Sequence, residues 1–203
     1  KVKDFLINNG VIIVMFILVI YTGFTSDNFF TKNNFMNILM NMSSRLVIAL
    51  GIAGCVITAG CDLSAGRMIG FGACISGMLL QRMDYSGKFF PDMQPLNVFV
   101  VALIAMLVCA AFGTVTGFFI AYLNVPPFIA TLAMMEIVYG IGLIVTNATP
   151  LRGYVEQYTN VSNGKFLGIN YLIWIAIIVA AITWFIFNMT RHGKYMYAIG
   201  GNP

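Results

Sequence analysis

Long apolar runs separated by short polar stretches set the pattern of this chain. Between Asp92 and Arg152 the only charged side chain is Glu136, and the rest is dominated by Leu, Ile, Val, Phe, Ala, Met and Gly. One bilayer crossing takes about 20 apolar residues, so this stretch is long enough for two. Six apolar segments stand out, at 5–24, 44–60, 65–81, 96–123, 126–147 and 168–188. A backbone in lipid must satisfy its own hydrogen bonds, so each segment predicts a helix. The expected fold is an all-α, polytopic transmembrane bundle of about six spans, with residues 1–203 forming one transmembrane domain.

The third segment is short and glycine-rich, with Gly66, Gly70, Gly72 and Gly77. It is expected to be tilted, broken or enclosed by other helices, whereas the fourth is long enough to tilt or to reach beyond the membrane. Thr25–Asn37, Gln81–Pro95 and Asn147–Gly168 carry turn residues and read as connections. The Asn124–Pro127 link is so short that it predicts a tight antiparallel hairpin. Gly66 and Gly70, like Gly113 and Gly117, are spaced to let helices pack closely in lipid, and intramolecular packing is the expected use.

Composition agrees. Only 9% of the 203 residues are charged and 60% are hydrophobic, against about 25% charged in soluble domains. Mean hydropathy is +0.89. The net charge of +4 comes without a basic cluster, so no nucleic-acid partner is expected. Cys55, Cys61, Cys74 and Cys109 lie in or beside apolar runs without metal-ligand spacing and read as packing residues. The run after Lys1 and Lys3 has no small-residue cleavage site following Tyr21–Ser26, so it reads as a retained span. With a cytoplasmic N-terminus, Lys1, Lys3, Arg67, Arg191 and Lys194 face inward in short loops hard against the span ends. Lys32, Arg45, Arg82, Lys88, Arg152 and Lys165 then face outward. Proximity to the span ends favours this orientation.

Few residues carry candidate chemistry. Asp62, in the run Gly60–Arg67, stands ahead of an apolar segment, where a carboxylate can cap the free N–H groups of a first turn, with Gly60 letting the chain turn. The other reading of Asp62, among these glycines, is a mobile break beside a transport path. Glu136 is the one carboxylate deep in a span and should face protein or water, or be protonated. It is the group a proton-coupled carrier would need, but no His, Lys or Arg in another segment is matched to it. His192 reads as a solvated residue beyond the last span. No arrangement for hydrolytic catalysis is visible, and no metal or cofactor is implied. The Gly87–Lys88 and Gly193–Lys194 pairs are each followed by an aromatic residue, so there is no phosphate-binding loop for ATP. The chain reads as a non-catalytic protein.

Three runs together carry a resemblance: GCDLSAGR (Gly60–Arg67), NVPPFIATL (Asn124–Leu132) and RHGKYMYAIGGNP (Arg191–Pro203). They resemble the permease subunits of bacterial ATP-binding-cassette importers for monosaccharides, the ribose/galactose/arabinose group. The resemblance implies galactose or methyl-galactoside as cargo first and ribose next, and a bacterial plasma (inner) membrane location. It also implies about ten spans, a second permease subunit, a cytoplasmic ATPase and an extracytoplasmic sugar-binding protein. Against ten spans, this chain reads as the N-terminal half of a permease. Asp62, Ser64, Asn124, Phe128 and Thr131 are expected on the substrate path or its gates, with Glu136 a further candidate. Arg191, Gly193, Tyr197, Gly200, Gly201 and Asn202 are expected in the loop that docks on the ATPase, where Gly200 and Gly201 would allow a sharp turn. The alternatives are a related permease for branched-chain amino acids or nucleosides, a proton-coupled carrier using Glu136, and a membrane scaffold without transport.

Overall fold

A computed structural model of the chain describes residues 9–201; Asn202 of the expected docking loop, Lys1, Lys3 and Pro203 lie outside the described residues. Among the described residues, eight helices and one minimal hairpin follow in order. They are α1 (Gly10–Thr25), α2 (Lys32–Ile57), α3 (Ala65–Leu79), α4 (Val98–Leu123), α5 (Pro127–Thr146), α6 (Glu156–Asn163), β1 (Lys165–Phe166), β2 (Ile169–Asn170), α7 (Tyr171–Met189) and α8 (Arg191–Gly201). The fold is all-α apart from that hairpin. Four helices, α2, α4, α5 and α7, are long and apolar enough to cross a membrane, while α1 and α3 are shorter apolar helices of 16 and 15 residues.

Side-chain caps define where the helices start. Asn97 and Asn170 accept from the backbone N–H of Phe99 and Leu172 at 2.9 and 2.8 Å, opening α4 and α7. Pro127 sits in the first turn of α5, where its fixed φ suits the helix and its missing N–H costs nothing. Thr31 caps α2 through the N–H of Asn34 at 3.3 Å. That cap starts α2 at Lys32 rather than at 44, so Asn33, Asn34, Asn37 and Asn41, expected in or near a loop, are helical.

The helices divide into two groups. In the first, α3 packs against both α4 and α5, which also touch each other. Its seam contains Phe71, Ile75, Ala105, Met134 and Val138, with Phe71 meeting Phe112 edge-to-face at 5.5 Å. In the second, α7 lies along α2, and α8 folds back against both. Gly66, Gly70, Gly113 and Gly117 have nothing among the described residues within 4 Å of where a Cβ would stand, so these residues do not supply the expected close backbone packing within the described part of the chain. The approaches are made elsewhere, by Gly72 against Cys109 Sγ at 3.5 Å and by Gly142 against the Phe71 ring at 3.7 Å.

At the far end of α3 two connections are stitched together. Gln81, 1% exposed, donates to the carbonyl of Arg152 at 2.9 Å and accepts from the N–H of Phe89 at 2.7 Å. Backbone bonds from Arg82 to Gly153 and from Val155 to Leu80, each 2.8 Å, lie beside it. Tyr154 donates to Leu151 at 2.7 Å, and burial, then Tyr158, Cys74 and Tyr85, pushes its pKa above the usual phenol value. The stretches after α3 and after α5, which read as separate loops, are therefore one plate.

Candidate transport site

The run from Thr58 to Ser64 connects α2 to α3 without regular structure. Helix α2 ends in a double backbone bond, Gly60 N–H to Cys55 O at 2.8 Å and Ala59 N–H to Val56 O at 3.1 Å. This pattern needs a left-handed residue, and Ala59 supplies it with φ of 57°, not Gly60 as expected. Nor does Asp62 cap the helix. Its Oδ1 accepts from the Ser64 N–H at 2.8 Å and the Ser64 hydroxyl at 2.6 Å, fixing the turn two residues before the cap position. The helix begins at Ala65 with Ser64 in the cap position, so a bond two residues on from Asp62 reaches Ser64 and not the N–H groups of the first turn.

This fixed turn walls a pair of adjoining cavities of about 310 and 370 Å³, sharing Asp62, Ser64 and Gly113. The first is closed by Thr116 and Gly117 of α4 and by Pro127 and Thr131 of α5, and the second by Ile48, Gly51 and Ile52 of α2. Such volumes fall at the small end of ligand sites, about 300–1,000 Å³. Thr131 is 3% exposed and donates to Pro127 O at 2.8 Å, with Cys61 O 3.4 Å away, tying the turn to α5. Hydroxyls, a carboxylate and a carbonyl edge on an otherwise apolar wall can make weak hydrogen bonds to a small polar solute. The bare glycines at 113 and 117 leave room for it.

Three expected path residues, Asp62, Ser64 and Thr131, thus meet at one wall. Asn124 and Phe128 are exposed at the α4–α5 turn, outside this lining, with Asn124 itself left-handed at φ of 52°. Glu136 lies on an outward flank of α5, exposed, and has no hydrogen-bond or ion-pair partner among the described residues. Arg67, expected in a short loop, is in the first turn of α3, with its guanidinium 3.9 Å from the centre of the Tyr139 ring. Sequence reasoning missed Cys55, Thr58 and Thr116 of the lining. Hydroxyls at i, i−4 spacing look like ordinary helix residues that bond their own backbone, as Thr116 does to Phe112.

The expected docking loop is a helix. Gly200 and Gly201 end α8 in helical geometry rather than making a turn. Gly193, Met196 and Gly200 share the face turned to α2 and α7. A methyl on Gly200 would overlap the carbonyl oxygen of Ile57 and stand 3.4 Å from Thr58 Cα, so glycine is needed for close backbone approach. Gly193 is similarly closed by the Phe187 backbone, while a Cβ on Gly54 would meet Met196 Cε at 2.8 Å. The opposite face of α8, with Arg191, Lys194 and Tyr195, is exposed, and Tyr197 is exposed on the flank beside the packed face.

The family described as branched-chain amino acid transport system / permease component matches residues 34–203. The galactose/methyl galactoside import permease protein MglC of Escherichia coli (strain K12) is 40% identical over 98% of this chain and 61% of its own length. The protein of the same name from Haemophilus influenzae is 41% identical over 100% of the chain and 62% of its own length. The ribose import permease protein RbsC of Escherichia coli (strain K12) is 31% identical over 98% and 60%. The chain therefore spans about three fifths of the length of these relatives. No solved structure matches. With a match across most of its length and four long apolar helices, the chain belongs to the branched-chain amino acid transport system / permease component family, as a multi-pass membrane protein.

Proposed function

We propose that these helices form part of a permease that moves a monosaccharide, galactose or methyl-galactoside first and ribose next, into the bacterial cytoplasm across the plasma membrane. A separate cytoplasmic ATPase supplies the energy, a second permease subunit completes the path, and an extracytoplasmic binding protein delivers the sugar. In this reading α1 and α3 also cross the membrane, giving six spans. The N-terminus and α8 then share the cytoplasmic side, so the cavities at Asp62, Ser64 and Thr131 lie near the inner end of the path.

The observation that carries the reading is the seating of α8. Its glycine face meets the end of α2 at Ile57, immediately before the run that walls the cavity, while its basic and aromatic face stays free. A rigid body docked on the free face would push on Ile57–Thr58 and through it on the Asp62 turn. In this reading Gly193 and Gly200 form the packed face of the device, Arg191 its free face, and Tyr197 and Gly201 its flank. Permease and sugar need only touch weakly, because tight binding would trap the cargo. In this reading Asn124 and Phe128, exposed at the α4–α5 turn, act at the mouth of the path.

The test uses the complete permease reconstituted with its ATPase. Adding galactose-loaded binding protein should stimulate ATP hydrolysis and uptake together; no stimulation by any loaded binding protein rejects the reading. The family description favours a second reading, a branched-chain amino acid as cargo, which the same assay with leucine-loaded binding protein would detect. A proton-coupled carrier would instead lose uptake with an uncoupler and keep it when ATP is depleted.

A further inference from the structure

Glycine is less favourable than alanine inside a helix, yet α4 holds two glycines four residues apart, Gly113 and Gly117. No described atom lies within 4 Å of where a Cβ on either would stand, so neither serves a close helix contact there. Both instead line the first cavity beside the Asp62 turn, together with Thr116 and Ile120. Positions 113, 116, 117 and 120 share one face of a helix, so that face of α4 is a wall of the cavity. The other walls are Cys61 and Asp62 of the turn and Pro127 and Thr131 of α5. The space before the glycines is therefore bounded by elements of the chain itself.

Gly113 also lines the second cavity, which Ile48, Gly51 and Ile52 of α2 bound, so it stands where the two adjoin. A side chain at 113 would project into both, and one at 117 into the first alone. Leucine would bring four carbons into cavities of only about 310 and 370 Å³. The polar edge cannot easily withdraw to compensate. Ser64 and Thr131 are 5% and 3% exposed, and each is held by its own hydrogen bond, to Asp62 and to Pro127. Fixed hydroxyls on one wall and bare backbone on another make a passage that sorts neutral solutes by size.

We propose that Gly113 and Gly117 set the largest cargo the path admits, the missing side chains giving a substituted sugar ring room to pass the Asp62 turn; the proposal rests on the sugar-import reading above. Gly113, at the junction of the two cavities, is the tighter limit, and Gly117 the weaker. A side chain at either position shifts selectivity toward the smaller of two sugars that differ only in size.

The test measures uptake of galactose and of methyl-galactoside, each delivered on the same binding protein, by the complete permease reconstituted with its ATPase. Gly113→Leu should lower the ratio of methyl-galactoside to galactose moved by about tenfold or more, the range for one group too many in a fixed pocket. Gly117→Leu should lower it less. Gly113→Ala, which also favours the helix, should shift it the same way by a smaller factor and keeps the test readable if the leucine variants do not assemble. An unchanged ratio, or both sugars falling by the same factor, overturns the size limit while leaving the importer reading intact. A wild-type complex that imports free leucine and no sugar overturns both.

Discussion

The two helix groups differ in what holds them. In the α3–α4–α5 group, side chains from three helices close a seam, with Phe71 and Val138 8% and 1% exposed and Thr131, Met134 and Thr146 of α5 also buried. In the α2–α7–α8 group the buried residues are Ser43, Ala176 and Gly193, one on each helix. The first group is positioned by packing with itself. In the second, α2 walls the cavity directly through Ile48, Gly51 and Ile52, and α8 meets the end of α2 through Gly200 on Ile57. Under the proposed transport reading, a displacement applied to α8 would reach the Asp62 turn through Ile57 before it disturbed the self-packed seam.

The largest way to break this contrast is at the plate that closes the far end of the packed group. Gln81→Ala leaves the Arg152 carbonyl and the Phe89 N–H without their partner in a buried place. The expected loss is about 3 kcal/mol, since each orphaned group costs about 1–3. Unfolding in detergent monitored by circular dichroism measures it, and a loss too small to resolve would mean the plate is held by its backbone bridges alone.

Truncation within the seam should come next. Val138→Ala removes volume from a site with 1% exposure and should cost about 2 kcal/mol. Ile178→Ala on α7, 56% exposed, should cost under about 0.5 kcal/mol because the site is open. Equal losses in the same unfolding assay would erase the distinction between the groups.

How far the sequence revealed this arrangement depended on the kind of signal. The helices α4, α5 and α7 were legible because unbroken apolar runs flanked by Asn or Pro leave the backbone no alternative in lipid. The start of α2 was not, since Asn33, Asn37 and Asn41 look like loop residues until the Thr31 cap is seen. Helix α8 was hidden for a related reason. Glycine pairs suggest a turn, and only the closeness of the Ile57 backbone shows that Gly200 is there for contact. At the site, Asp62, Ser64 and Thr131 were recognisable as polar groups beside apolar runs. Arg67 was misplaced into a loop because nothing in the spacing reveals that Tyr139 offers it a ring.

The end contact can be probed on its own. Gly200→Ala forces the α8 backbone away from the Ile57 carbonyl, with no flexible side chain to yield. Sugar moved per ATP in the complete permease should fall by about tenfold, the upper range for a residue that only relays coupling. Unfolding of the α3–α4–α5 seam should not change. Normal coupling in this variant would show that α8 reaches the cavity by another route.

The smallest effect sharpens the boundary between the groups at one residue. Ala59 holds a left-handed conformation, φ of 57°, to let Gly60 bond back to Cys55. An L-residue with a Cβ is strained there by about 1–2 kcal/mol, and glycine is not. Glycine also gains freedom in the unfolded chain, which offsets part of that relief. Ala59→Gly should therefore stabilise by about 0.5–1 kcal/mol in thermal unfolding. The position lies between Ile57, which α8 touches, and Asp62, which walls the cavity, so the same change also frees the relay to bend. If Ala59 only closes the end of α2, stability rises and sugar moved per ATP is unaltered. If the turn transmits the push of α8, stability rises while sugar moved per ATP falls, because a softer link absorbs the displacement that a strained alanine passes on.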